Sequence, residues 1–212
     1  MLLLIDKPKG ITSHDVVDHV RKITGERRVG HAGTLDPSAT GLLIVGVGRE
    51  STKKLGDLTK NTTKTYEAEI ILGATSDTDD SEGQITKKVI LKKLFENDVG
   101  KVLSQFVGEQ EQVPPVYSAI KLKGKKAYEL ARKGKQVDLK PRKIVIHLIK
   151  LLDYKYPKLN IACEVSSGTY IRALARDIGQ KLGTGGYLNN LRRTKIGKFS
   201  VHDASMLDNI KL

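Results

Sequence analysis

Tryptophan is absent from this chain, phenylalanine occurs three times, and one cysteine, Cys163, stands alone. A single thiol permits no internal disulfide, which excludes the disulfide-stapled secreted scaffolds. Leu159, Ile161, Cys163 and Val165 alternate with Asn160, Ala162, Glu164 and Ser166, so the thiol is expected inside a half-buried strand. Long hydrophobic runs are missing too. The longest, residues 1–5 and 42–47, fall far short of the roughly 20 residues that cross a bilayer. No basic segment precedes the first run, and Asp6-Lys7-Pro8-Lys9-Gly10 follows it at once, which is not the layout of a secretory signal. A cytoplasmic protein with no membrane partner is expected. The five histidines, His14, His19, His31, His147 and His202, lack metal-ligand spacing with cysteine or carboxylate, so no metal site is expected. Neither a GxxxxGK[ST] loop nor a GxGxxG helix start occurs, and Gly46-Val47-Gly48 marks only a strand end. Zinc deaminases, nucleotide-driven helicases and dinucleotide enzymes become poor candidates, and no cofactor is expected.

Acidic residues are in deficit as well. Against 24 Asp and Glu stand 37 Lys and Arg, a formal net charge of +13 with a sequence pI near 9.7. That excess favours a polyanionic partner, above all nucleic acid. The cations are concentrated. Residues 121–143 hold ten, opposed only by Glu129 and Asp138, for a local net of +8. Tyr117 and Tyr128 are interleaved and Pro114-Pro115 stiffens the entry. Phosphates can take the charge while exposed bases stack on the rings. The plainer alternative is a solvated helix face with its tyrosines packed inward.

The 212 residues suffice for a sizeable core, and neither an internal repeat nor a low-complexity linker divides them. Ser13 reads as the N-cap of a helix carrying Val16, Val17, Val20 and Ile23, with Gly25 as its stop. Val99, Val102, Leu103 and Phe106 mark a second helix ending near Gly108. Ile171, Leu174, Ile178 and Leu182 mark a third, stopped at Gly183. Residues 42–47, 66–72, 144–152 and 159–165 read as strands. This intermixing predicts a mixed α/β (α+β) fold, with a mainly antiparallel central sheet and flanking helices.

One segment stands out: Arg28-Val29-Gly30-His31-Ala32-Gly33-Thr34-Leu35-Asp36-Pro37-Ser38-Ala39-Thr40-Gly41-Leu42-Leu43. Its three glycines let the backbone turn or approach a ligand closely. Pro37 favours an extended Asp36 and so aims the carboxylate. An apolar strand then anchors the loop to the core. Taken alone, Asp-Pro is an ordinary turn signal.

The stretch resembles the GHxGTLDPxATGLL catalytic motif of the TruB family of tRNA pseudouridine synthases. Other segments agree in family order. Lys7-Pro8-Lys9-Gly10-Ile11-Thr12-Ser13 is similar to KPxGxTS, and Lys64-Thr65-Tyr66-Glu67-Ala68 with Leu72-Gly73 and residues 75–83 is similar to KxYxAxxxLGxxTDTxDxxG. Residues 112–119, running into Lys121, Gly124, Ala127, Tyr128, Ala131 and Arg132, resemble QxPPxYSAxKxxGxxAYxxAR. Gly168-Thr169-Tyr170-Ile171-Arg172-Ala173-Leu174 and Leu191-Arg192-Arg193-Thr194 resemble GTYIRxL and LRRT. Ala32 stands where Thr is common, and Gly186 where the family places Ala.

The resemblance implies a pseudouridine-synthase fold over residues 1–212, with an RNA-clamping thumb at about 113–137; the C-terminal PUA domain that many relatives carry is not expected within these residues. It implies isomerisation of the T-arm uridine of tRNA, position 55 in tRNA numbering, by a monomer. Asp36 would attack or deprotonate a flipped nucleoside. Tyr66 would stack on the uracil, its hydroxyl helping to remove the C5 proton; the alternative is a core-facing strand tyrosine. Arg172 would pair with Asp36 and hold it ionised, although Arg176 shares its helix face and a solvated surface pair is the alternative. Tyr170 would line the base pocket, Leu191 would close it, and His31 would aid extrusion of the base. Lys7 and Pro8 would support the wall. Lys121, Lys123, Lys125 and Lys126 would grip RNA from the thumb. Such an isomerisation is redox-neutral and hydrolyses nothing, in keeping with the missing cofactor motifs. Two rival readings are a tRNA-binding folding chaperone and a dyskerin-like, guide-dependent synthase.

Overall fold

The computed structural model describes residues 1–59, 62–89, 93–122, 124–134 and 136–210. The thumb residue Lys123 therefore lies outside the described residues. In chain order the elements begin with β1 (Leu2–Lys7), α1 (Ser13–Thr24), β2 (Val29–Ala32), β3 (Thr40–Val47), α2 (Arg49–Thr59), β4 (Lys64–Leu72), β5 (Ala74–Ser76) and β6 (Ile85–Lys87). Next come α3 (Glu96–Ser104), β7 (Gly108–Gln112), β8 (Lys121–Leu122), β9 (Lys125–Lys126) and α4 (Ala127–Ala131). The remainder is β10 (Arg142–Lys155), β11 (Lys158–Val165), α5 (Ile171–Lys181), β12 (Gly186–Ile196), β13 (Phe199–Ser200) and β14 (Ser205–Met206). Two compact units result. One comprises Met1–Glu67, Cys163–Ser167 and Asn190–Leu212; the other comprises Ala68–Ala162 and Gly168–Asn189.

In the first unit β3 is the organising strand. Leu43 and Val45 pack with Ile5, Val16, Val17, Val20 and Val29, while Leu42 and Ile44 pack with Ala32, Leu55, Ile196 and Val201. Both faces are covered, which explains why residues 42–47 read as an unbroken apolar run. β1 runs antiparallel along one edge, from Leu2 opposite Gly46 to Lys7 opposite Gly41. The other edge is shared. β2 pairs antiparallel with residues 44–47, and β12 pairs parallel at Thr40 and Gly41. The loop from β2 to β3, which carries Asp36, emerges where one neighbour gives way to the other.

Gly25 closes α1 in the left-handed conformation at φ 67°, as expected, but the opening of that helix differs from expectation. Thr12, not Ser13, is the N-cap, and it forms a reciprocal capping box with Asp15. Ser13 is buried and its hydroxyl is used elsewhere: it donates to Leu35 O and accepts from Leu35 N, both at 2.9 Å.

In the second unit β7 lies antiparallel to β10, from Arg142 opposite Gln112 to Ile146 opposite Gly108. α5 falls where the periodicity put it, with Gly183 just after it at φ 77°, whereas α3 ends at Ser104, before Phe106 and the expected stop near Gly108, where β7 begins. The basic stretch is not one helix face. It folds as the β8–β9 hairpin and the five-residue α4, around a small core of Ile120, Ala127 and Leu139. Six ladders are antiparallel, β1–β3, β2–β3, β5–β6, β7–β10, β8–β9 and β12–β13, while β1–β14 and β3–β12 are parallel.

Candidate active site

The Asp36 loop is fixed from both flanks by buried polar side chains. Before it, Leu35 is held through both backbone groups by Ser13. After it, the Pro37 carbonyl accepts from Lys7 Nζ at 3.4 Å and from Gly10 N at 2.8 Å. A turn closes between Asp36 O and Ala39 N at 3.0 Å, so Asp-Pro does initiate a turn here. Lys7 is fully buried, and its ammonium also donates to Pro8 O and Ile11 O, each at 2.8 Å. Burial lowers its pKa while the nearby Asp36 charge opposes that shift. Pro8 is exposed and contributes its carbonyl. Two of the three motif glycines are required by conformation. Gly33 has φ 78° and Gly41 φ 102°, and a Cβ on Gly41 would collide with the backbone of Arg193.

Tyr66, on β4 within the first unit, is 6% exposed. Burial raises the phenol pKa and Arg193 opposes the rise, while Cys163 and Asp36 act on it from nearby. Arg193 itself is buried. Its Nε donates to Leu42 O at 2.8 Å and its Nη2 to Gly33 O at 2.9 Å. Lys64, two residues before Tyr66, donates to Ser167 Oγ at 3.4 Å, and burial, aided by Arg193, lowers its pKa to about 8. His31 is half-buried on β2, with its pKa lowered by burial first, then by Arg193 and His14. Its Nδ1 finds no partner among the described residues. Leu191 is half-buried, and its carbonyl accepts from Thr40 Oγ1 at 3.4 Å. Asp36, Tyr66, Lys7, His31 and Leu191 thus all belong to this unit, together with Lys64 and Arg193.

Tyr170 and Arg172 belong to the second unit. Tyr170 packs against the thumb core, and its backbone exchanges two hydrogen bonds with the Gln112 side chain, at 2.9 and 3.1 Å. Arg172, in the first turn of α5, donates to Tyr117 O at 3.0 Å and to Asp80 Oδ2 at 3.3 Å. Its helix neighbour Arg176 reaches Asp79 Oδ2 at 2.8 Å, Asp177 at 2.9 Å and Val113 O at 2.8 Å. The two arginines are therefore not a solvated surface pair, since their side chains are 11% and 28% exposed. Burial pushes the Asp79 carboxyl up to about 6 despite Arg176. On the thumb, Lys121 and Lys125 are exposed, whereas Lys126 and Arg132 lie over the Tyr128 ring at 5.4 and 5.5 Å. Among the described residues no cluster of three or more His, Cys, Asp or Glu could hold a metal ion.

Residues 21–171 match the model of the TruB family pseudouridylate synthase N-terminal domain, and residues 172–212 that of the tRNA pseudouridylate synthase B C-terminal domain. The chain belongs to the TruB family. Curated relatives named tRNA pseudouridine synthase B agree: those of Mycobacterium sp. (strain KMS) and Nocardia farcinica are each 47% identical over 211 residues. The alignments cover 98% of this chain and 70% and 68% of those proteins. Among solved structures, a Cbf5–Nop10–Gar1 complex aligns with a TM-score of 0.76 and 28% identity. It covers 98% of this chain and 52% of the solved one, so the chain spans about half the length of that structural relative.

Within the TruB-family motifs, sequence reasoning gave no role to Lys64, Arg193, Asp79 or Asp80. The first two stand inside quoted motifs, Lys64 at the head of the tyrosine segment and Arg193 within LRRT. Their places within those motifs were the available signal, and burial of such charges requires partners that only the folded chain supplies. Asp79 and Asp80 lie about ninety residues before the arginines they bind, beyond the reach of any local pattern.

Proposed function

We propose that this chain isomerises a uridine of tRNA to pseudouridine, at position 55 in the T-arm, as a cytoplasmic monomer needing neither metal nor coenzyme. The observation that carries the reading is the Asp36 loop. A carboxylate between Leu35 and Pro37, each pinned by a buried side chain, is preorganised in the way catalysis requires, and it lies close enough to Tyr66 to act on it electrostatically. The curated relatives' shared name supports the reaction and the RNA class.

In this reading the flipped nucleoside loses its N1–C1′ bond with Asp36 acting at the sugar. The base turns, C5 bonds to C1′, the C5 proton leaves and N1 gains one. Extrusion costs a few kcal/mol, and stacking of the uracil on Tyr66 offsets about 1–3 kcal/mol of it. Leu191 covers the base and His31 stands toward the RNA, while Tyr170 and Arg172 keep the roles that the family resemblance assigns them. Lys121, Lys123, Lys125 and Lys126 hold the phosphates. The structural likeness to Cbf5 favours a second, guide-dependent reading, but 47% identity to proteins named tRNA pseudouridine synthase B, against 28% to Cbf5, supports the first. The test is incubation of the purified chain with an unmodified tRNA transcript, followed by mapping of pseudouridine. One modified uridine in the T-arm is expected. Modification only when a guide RNA is added would favour the second reading, and none under either condition would end both.

A further inference from the structure

Two charged residues of the second unit stand at positions that the family motifs leave open. Asp79 falls at the variable place of the TDTxD segment, and Arg176 lies beyond the end of GTYIRxL. Their side chains nevertheless meet, at 2.8 Å between Arg176 Nη1 and Asp79 Oδ2. The other two nitrogens of that guanidinium are engaged as well. Nε donates to Asp177 Oδ1 at 2.9 Å and Nη2 to the Val113 carbonyl at 2.8 Å. A planar fork held through all three nitrogens is fixed in orientation, and a lysine ammonium could not reproduce the arrangement. Asp79 is held firmly too. It is buried, its N–H donates to Ser76 O at 3.2 Å, and its carbonyl accepts from Leu188 N at 3.0 Å. Its φ is 62°, a conformation that costs an L residue energy and that aspartate tolerates better than most.

What this fork holds is the place where the thumb leaves the sheet. β7 ends at Gln112, which pairs with Arg142 at the start of β10, so the chain departs and returns at that pair. Pro114 and Pro115 come two and three residues later and have no N–H with which to continue a ladder. The Val113 carbonyl is taken instead by Arg176, and the Tyr117 carbonyl by Arg172, one helical turn away on the same face of α5. Past these two ties lie Lys121, Lys125, Lys126 and Arg132 on the thumb. We propose that Arg176 is a positioning residue for RNA binding: anchored by Asp79, it fixes the root of the thumb at Val113 and so sets where the thumb presents its cations. The inference rests on the reading of the chain as a tRNA-modifying enzyme that grips RNA with the thumb. A thumb already held in place loses less conformational freedom when RNA binds. Neither Asp79 nor Arg176 touches a reacting atom in this account, so their loss falls on RNA affinity and not on the chemical step.

The experiment compares the wild type with Arg176→Gln, Asp79→Asn and the double variant. For each protein the readouts are the Kd for an unmodified tRNA transcript, the single-turnover rate at saturating enzyme, and trypsin cleavage within residues 121–133 in the absence of RNA. Arg176→Gln should weaken tRNA binding by about tenfold and leave the rate at saturation within about threefold of the wild type. Its thumb should be cut faster, with cleavage elsewhere unchanged. Asp79→Asn should weaken binding by about threefold alone and by less than about twofold when added to Arg176→Gln, because it acts through the arginine. Unchanged affinity, a loss that appears mainly in the rate at saturation, additive effects of the two changes, or a thumb cut no faster would each overturn the proposal. If Arg176→Gln does not fold, Arg176→Lys takes its place with the same expectations, and failure of both to fold would reduce Arg176 to a stability element and overturn the proposal as well. A wild type that forms no pseudouridine would instead overturn the functional reading, and the trypsin digestion would still decide whether Arg176 anchors the thumb.

Discussion

Replacing Ser13 by alanine should damage this protein more than removing the true helix cap one residue earlier. Ser13 Oγ bridges both backbone groups of Leu35, a residue 3% exposed, so the alanine leaves a buried N–H and a buried C=O unpaired. At roughly 1–3 kcal/mol for each of the two groups, the expected loss is about 2–6 kcal/mol. Thr12→Ala removes an exposed N-cap, whose loss costs about 1 kcal/mol. In a chain of this size 1 kcal/mol lowers Tm by about 2–4 °C. Ser13→Ala should therefore melt about 4–24 °C below the wild type and Thr12→Ala about 2–4 °C below, by scanning calorimetry with urea unfolding as a check. Leu35 immediately precedes Asp36, so the Ser13 variant should also lose about tenfold or more in single-turnover rate while its tRNA affinity holds. A Ser13→Ala protein as stable as Thr12→Ala, or one of unchanged rate, would refute the idea that this hydroxyl fixes the Asp36 loop.

Gly41→Ala should yield little folded protein, because its Cβ would meet the Arg193 backbone and lie within 2.7 Å of its nitrogen. Gly10→Ala, also at positive φ but with no atom near, should cost only about 1–2 kcal/mol by the same urea titration. Burial holds the Lys64 pKa at about 8, below its unfolded value, so the folded state binds fewer protons than the unfolded state over that interval. Wild-type stability should therefore rise from about pH 8 to pH 10 relative to Lys64→Met, and parallel stability curves would exclude a buried ammonium. Replacing Lys125 and Lys126 by alanine should flatten the log–log salt dependence of tRNA affinity by about 1.5, at 0.7–0.9 per phosphate contact. An unchanged slope would remove the thumb from the RNA interface.

The parts of the fold legible beforehand are those governed by local patterns. The β3 run, the α3 and α5 periodicities and the Gly25 stop all follow from side-chain spacing and backbone freedom. The Asp36 segment stood out because glycines, a proline and an apolar strand are compressed into sixteen positions. Long-range partnerships were not legible. Two adjacent hydroxyl residues competed for the helix cap, and the decision was made by Leu35, twenty-two residues from Ser13. β12 escaped notice as a strand because Asn189, Asn190, Arg192 and Arg193 interrupt its polarity pattern. Its two arginines are satisfied only in the folded chain, Arg192 by both oxygens of Asp6 and Arg193 by the carbonyls of Gly33 and Leu42. Arg172 and Arg176 were open to a solvated reading for the same reason.

The central claim is that Asp36 performs the chemistry, and release of tritium from a tRNA transcript labelled at uridine C5 tests it most directly. The label leaves only when C5 exchanges its hydrogen for the bond to C1′. Wild type should release one equivalent per tRNA, and Asp36→Asn, nearly identical in shape, should release none while binding tRNA as tightly. Tritium release by Asp36→Asn within tenfold of the wild-type rate would contradict the account.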